Sequence, residues 1–141
     1  MQSSIDFKEI PIFAYFGPEA RKALVAVLTR QIREQNETIL SFGKQVMGIY
    51  IIVEGEIHIR LPHSENPVAV LRRGQCVGEM SLLDDEHNSA SADVMVGSPT
   101  AKFLFCSVAD FRDVLLRIPE SSAAFYRGSA LQLSSRLRQL N

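Results

Sequence analysis

Apolar positions along this chain follow a helical spacing first, then a strand spacing, then a helical one again. Gly17-Pro18-Glu19 has the form of a helix start, since proline is tolerated at the first helical position and the acidic side chain suits the positive end of the helix dipole. Ala20, Leu24 and Leu28, with Val27, continue at helical spacing to about residue 30. Ahead of them, residues 5–16 mix apolar and turn-like positions and end in Phe13-Ala14-Tyr15-Phe16. From Gln31 to Phe105 the pattern shortens. Gln31-Ile32-Arg33 and Thr38-Ile39-Leu40 read as short strands, and Ser41-Phe42-Gly43-Lys44 as a turn. Ile49-Tyr50-Ile51-Ile52-Val53 is strongly β-forming. Glu56-Ile57-His58-Ile59-Arg60-Leu61 alternates, which turns its isoleucines inward and Glu56, His58 and Arg60 outward. Val68-Ala69-Val70-Leu71, Asp93-Val94-Met95-Val96 and Ala101-Lys102-Phe103-Leu104-Phe105 complete the strands, with Gly74, Gly78 and Gly97-Ser98-Pro99 as punctuation.

Helix then returns. Ser107 with Asp110 three residues on forms an acidic version of a capping box. Phe111, Val114, Leu115 and Ile118 carry one apolar face, and Pro119 ends the segment. A last helix runs from about Glu120 to the terminus. Many short strands with regular turns predict a mainly β fold, a double-stranded β-helix or jelly-roll-like β-roll with an N-terminal helix and two C-terminal helices. The expected organisation is a single domain over 1–141: a helical segment to about residue 30, a roll over 31–106 and helices over 107–141.

Composition narrows the function. The 141 residues carry 15 basic and 16 acidic side chains, a net charge of −1, which argues against a nucleic-acid binder. Arg127, Arg136 and Arg138 cluster locally and read as a solvated helix face. No apolar run is long enough to cross a bilayer, and the N-terminus lacks a signal core. Cys76 and Cys106 have no metal or redox spacing and read as buried thiols, which suits a reduced, cytoplasmic setting.

The chemistry concentrates in Val77-Gly78-Glu79-Met80-Ser81-Leu82-Leu83, with Asn88-Ser89-Ala90-Ser91-Ala92 close behind. A Gly-Glu pair at the mouth of a short apolar helical turn suits an anion at the helix end and a sugar hydroxyl on the carboxylate. No enzyme signature competes with it. His58, His63 and His87 form no paired metal motif, so a cupin-like metal-dependent β-roll enzyme is a second alternative with little behind it. Cys76 and His87 have no spacing that makes them nucleophile and base. Asp84-Asp85-Glu86 lacks the calcium-loop pattern. A non-enzyme is expected.

Nearly the whole chain resembles the cyclic-nucleotide-binding domain family, as found in Crp/Fnr-like sensors and kinase regulatory subunits. The resemblance rests on Ile10-Pro11-Ile12-Phe13, Tyr50-Ile51-Ile52-Val53-Glu54-Gly55-Glu56-Ile57, Leu71-Arg72-Arg73-Gly74 and the Val77–Leu83 run, in order and at the family's spacings. It implies a pocket formed by Gly78, Glu79, Met80, Ser81, Asn88, Ser89 and Ala90, with cAMP or cGMP as the ligand and no required cofactor. Gly78 would allow close backbone approach, Glu79 would accept from the ribose 2′-hydroxyl, and Ser89 would bond a phosphate oxygen. The family usually places an arginine where this chain has Asn88. Asparagine lacks the charge-assisted, bidentate grip of a guanidinium. A charged hydrogen bond contributes roughly 1.5–3 kcal/mol, about a 10- to 100-fold change in affinity. Asp84, Asp85 and Glu86 add negative charge nearby, and Arg72 and Arg73 are expected in solvent. Two readings stay open: a regulatory module whose nucleotide binding is weak or lost, and a genuine cAMP or cGMP receptor.

Ala123, Tyr126, Ala130, Leu133, Leu137 and Leu140 are spaced three, four, three, four, three, a heptad seam in the last helix. A homodimer through this seam is expected, with Gly128 and Ala130 allowing close approach and Phe125 and Leu131 packing inward. In the resembling family this helix reports ligand occupancy by moving. With no helix-turn-helix, kinase or channel segment in the 141 residues, output is expected through dimerisation or a partner protein.

Overall fold

The longest apolar run, around Ile49–Val53, becomes a strand buried on both faces, and the fold is arranged around it. A computed structural model describes residues 5–83 and 88–139. Strand β3 (Gly48–Glu54) lies between β8 (Thr100–Ser107) and β6 (Cys76–Val77), and β1 (Thr29–Glu34) extends the far side of β8. A second sheet orders β2 (Thr38–Leu40), β7 (Asp93–Val96), β4 (Ile57–Arg60) and β5 (Ala69–Leu71). All these pairings are antiparallel.

The two sheets close over one shared core. Ile52, Val77, Ala101 and Phe103 from the first meet Ile57, Leu71, Val94 and Val96 from the second. The opposite face of the first sheet presents Ile49, Ile51, Cys76 and Cys106 to the helices. That double burial is why β3 reads as a continuous apolar run, whereas β4, covered on one face, alternates. Ile57 is buried as the alternation predicts.

The helical layer contains α1 (Pro18–Val27), the short α2 (Met80–Leu83), α3 (Val108–Arg117) and α4 (Ser121–Gln139). Two 3-10 turns, Phe7–Glu9 and Pro11–Phe13, precede α1. Phe13, Phe16, Phe111 and Phe125 join these pieces into a single aromatic cluster, with ring centroids 4.9–6.5 Å apart. Ser107 caps α3 by accepting from the Asp110 backbone N–H at 3.1 Å.

Some boundaries differ from expectation. The first helix stops at Val27 rather than near residue 30, and Leu28 is already extended. Thr29 pairs with Phe105, so ladder hydrogen bonds take over from helical ones there. Strand β6 was not anticipated, because two residues are too few to show a period.

Candidate functional site

The short strand β6 delivers the chain to a sharp turn at Gly78, where φ is +96°. A Cβ at this position would collide with the Gly48 carbonyl oxygen of β3. Glycine is therefore required by the approach of two backbones, besides the left-handed conformation. Ser81 steadies the turn by donating its hydroxyl to the Gly78 carbonyl at 2.8 Å. The facing wall is tied to the Phe42–Val46 turn. Val46 N donates to Asn88 O at 2.8 Å, Ala90 N to Lys44 O at 2.9 Å, and Gly43 N to Ala90 O at 2.9 Å.

Between these walls lies a hollow of about 110 Å³. Gly78, Glu79, Met80 and Ser81 line one side, and Ser89, Ala90, Ser91 and Ala92 the other. Leu40, Val46, Ile59, Val77 and Val94 provide an apolar floor, and Arg136 of α4 reaches in from above. Of the residues singled out from the sequence, Gly78, Glu79, Met80, Ser81, Ser89 and Ala90 converge here. Met80 and Ser89 remain exposed, whereas Glu79, Ser81 and Ala90 are buried. Asn88 does not line this hollow. It opens onto a neighbouring one beside Gln45, Met47, Ser107 and Arg112. Asp84, Asp85, Glu86 and His87 lie outside the described residues.

Glu79 is the chemical centre. Only 3% of its surface is exposed. Gln132 Nε2 donates to its Oε2 at 3.1 Å, and Arg136 Nη1 lies 3.6 Å from the same oxygen. Gln132, itself buried, accepts from Cys76 N–H at 3.0 Å through Oε1, and Arg136 Nη2 donates to the Cys76 carbonyl. Burial pushes the Glu79 carboxyl above its ordinary range, against the opposing pull of Arg136, its own backbone N–H and Gln132. Burial, and secondarily the Glu79 charge, raises the Cys76 thiol well above its usual value, which leaves it inert as a nucleophile.

Reading the last-helix arginines as one solvated face requires correction. Arg127 stacks 4.0 Å over the Tyr15 ring, Arg138 is exposed, and Arg136 enters the hollow. Phe125, Ser129, Gln132 and Arg136 follow one another at helical spacing and form the inward stripe. That spacing was a usable signal, but Gln132 and Arg136 resemble ordinary surface residues. Gly128 is also reassigned: a Cβ there would lie 2.5 Å from the Pro11 and Ile12 carbonyl oxygens, so its smallness serves packing within the chain. Leu131, expected inside, is 44% exposed. Arg72 and Arg73 are held elsewhere, on Glu56 at 2.8 Å and on Glu9 at 3.0 Å.

The seam residues Ala123, Tyr126, Ala130, Leu133 and Leu137 all lie exposed on a different face of α4, and Leu140 lies outside the described residues. Leu133 and Leu137 border a groove against Val68, Ala69 and Val70 at the edge of the second sheet. No group of three or more potential metal-ligating His, Cys, Asp or Glu side chains occurs among the described residues. None of the described helices is long and apolar enough to cross a membrane.

Comparison with known proteins bears on the family and the fold. The chain is 31% identical over 78 residues to a cAMP-dependent protein kinase regulatory subunit from Yarrowia lipolytica, covering 55% of this chain and 21% of that protein. It is 28% identical over 115 residues to the Cyclic AMP receptor protein of Thermus thermophilus, covering 79% and 52% respectively. It thus spans about half or less of the length of these relatives. The N-terminal domain of a transcriptional regulator from Streptomyces coelicolor superposes with a TM-score of 0.74 at 23% identity, covering 96% of both chains. The C-linker/CNBHD of zELK channels gives 0.74 at 20% identity, covering 92% of this chain and 63% of that one. At such identities these two structures speak for the fold alone. The family described as "Cyclic nucleotide-binding domain" matches residues 30–117, most of the chain, and the chain belongs to that family.

Proposed function

We propose that residues 1–141 form one non-catalytic regulatory domain whose hollow is a cyclic-nucleotide site of low affinity, with output through the last helix, by self-association or a partner protein. The observation that carries this reading is the buried Glu79 carboxylate beside a small hollow with an apolar floor, into which Arg136 of α4 reaches. One of its oxygens is held by Gln132 and Arg136. A ribose hydroxyl has to displace those contacts, so binding the ligand and moving α4 are one event. The names of the relatives, a cAMP receptor and cAMP-dependent kinase regulatory subunits, support the ligand class.

Titration with cAMP and cGMP, followed by backbone NMR shifts up to millimolar ligand, tests the proposal. Saturable shifts centred on Gly78–Ser81 and Ser89–Ala90 are expected. Glu79→Ala should weaken binding about 10- to 100-fold, because it removes a charged hydrogen-bond acceptor. Absence of any saturable shift with either nucleotide rules the site out.

A further inference from the structure

We propose that Arg136, projecting from the last helix, binds the anionic group of the ligand and so supplies the charge that residue 88 does not. This deepens the cyclic-nucleotide reading of the hollow and rests on it. Among the described residues lining the hollow, Arg136 is the one cation and Glu79 the one anion. A cyclic phosphate entering beside Glu79 alone would face a buried like charge in a poorly screened space. Among the described lining residues the Arg136 charge offsets that of Glu79, and the guanidinium offers an entering phosphate a counter-charge.

The donor arithmetic points the same way. A guanidinium has five N–H donors in a planar fork. Here Nη2 serves the Cys76 carbonyl, Nη1 makes a 3.6 Å ion pair with Glu79, and Nε is buried with no partner among the described residues. An incoming phosphate oxygen would satisfy guanidinium donors that these protein contacts use only weakly. Asn88 faces the neighbouring hollow, so it does not compete for that position. The side chain that holds α4 down would also hold the ligand, which couples the helix to the anion directly.

NMR titrations of wild type, Arg136→Met, Arg136→Lys and the exposed control Arg138→Met, each with cAMP and with adenosine, test the assignment. In wild type the Arg136 Nε–Hε resonance should move further with cAMP than with adenosine, which has the ribose and no phosphate. Arg136→Met should weaken cAMP binding by about tenfold or more, with Arg136→Lys intermediate and Arg138→Met unchanged. Amide spectra superposing on wild type establish that a variant is folded, and Arg136→Lys substitutes if Arg136→Met is not. A stationary Nε–Hε resonance at saturating cAMP overturns the inference. So does tighter binding by Arg136→Met, which would make the guanidinium a plug. Binding weakened by Glu79→Ala but indifferent to Arg136→Met sinks this inference while the cyclic-nucleotide reading stands. Failure of wild type to bind cAMP at all removes both.

Discussion

Glu79 sits where water is nearly excluded, with two polar side chains from another element on one of its oxygens. Its raised carboxyl fixes a sign. The folded state holds the Glu79 proton to higher pH than the unfolded chain does. The resulting stability is present in full below the ordinary carboxylate range and is lost as pH rises through the raised value. Glu9 works in the opposite direction, because the Arg73 guanidinium holds it low, but it is common to both proteins in a comparison. The unfolding free energy of Glu79→Gln relative to wild type should therefore move in the variant's favour between acid and neutral pH. Urea titrations across that range measure it. A flat difference would mean that Glu79 sees a water-like environment.

Helix α4 is held in two ways along its length. Its first half is seated by packing: Phe125 is buried against Phe111 at 4.9 Å, and Gly128 lies on the Pro11–Phe13 turn. The second half reaches over the hollow through Gln132 and Arg136. The apolar half is an anchor, and in the proposed site the polar half would exchange its partners for those of the ligand. Gly128→Ala tests the anchor. Alanine favours a helix interior by about 1 kcal/mol over glycine. Here, however, its Cβ would lie 2.5 Å from two backbone oxygens that have no side-chain freedom to give way. Overpacking costs about 1–3 kcal/mol, so the clash should prevail. A lower urea midpoint with an unchanged slope is expected. A more stable variant would show that α4 is not seated on that turn.

At the scale of the whole molecule, two faces of α4 divide the work. One stripe covers the hollow, and the proposed seam of Ala123, Tyr126, Ala130, Leu133 and Leu137 stays exposed. A helix of this length gains most of its stability from packing, so an apolar stripe left in solvent suits a second copy of the chain. Wild type should sediment as a dimer at micromolar concentration. Leu133→Asp with Leu137→Asp should sediment as a monomer with an unchanged far-UV circular dichroism spectrum, because both side chains are more than half exposed within one chain. A monomeric wild type would remove self-association from the proposal.

The order of elements, the β-forming character of the run around Ile49–Val53 and the Gly78-Glu79 turn are local in origin, so they are legible in the sequence alone. Periodicity reports which faces are dry, and a glycine before a short helix reports a turn, without reference to distant residues. Strand β6 and the early end of α1 escaped because neighbouring strands decide them through pairing. The contents of the hollow escaped for a larger version of that reason. Gln132 and Arg136 lie 53 and 57 positions after Glu79 in the sequence, and no spacing rule connects them. Only the folding of α4 across the roll places them on that carboxylate, and with them the charge that position 88 does not supply.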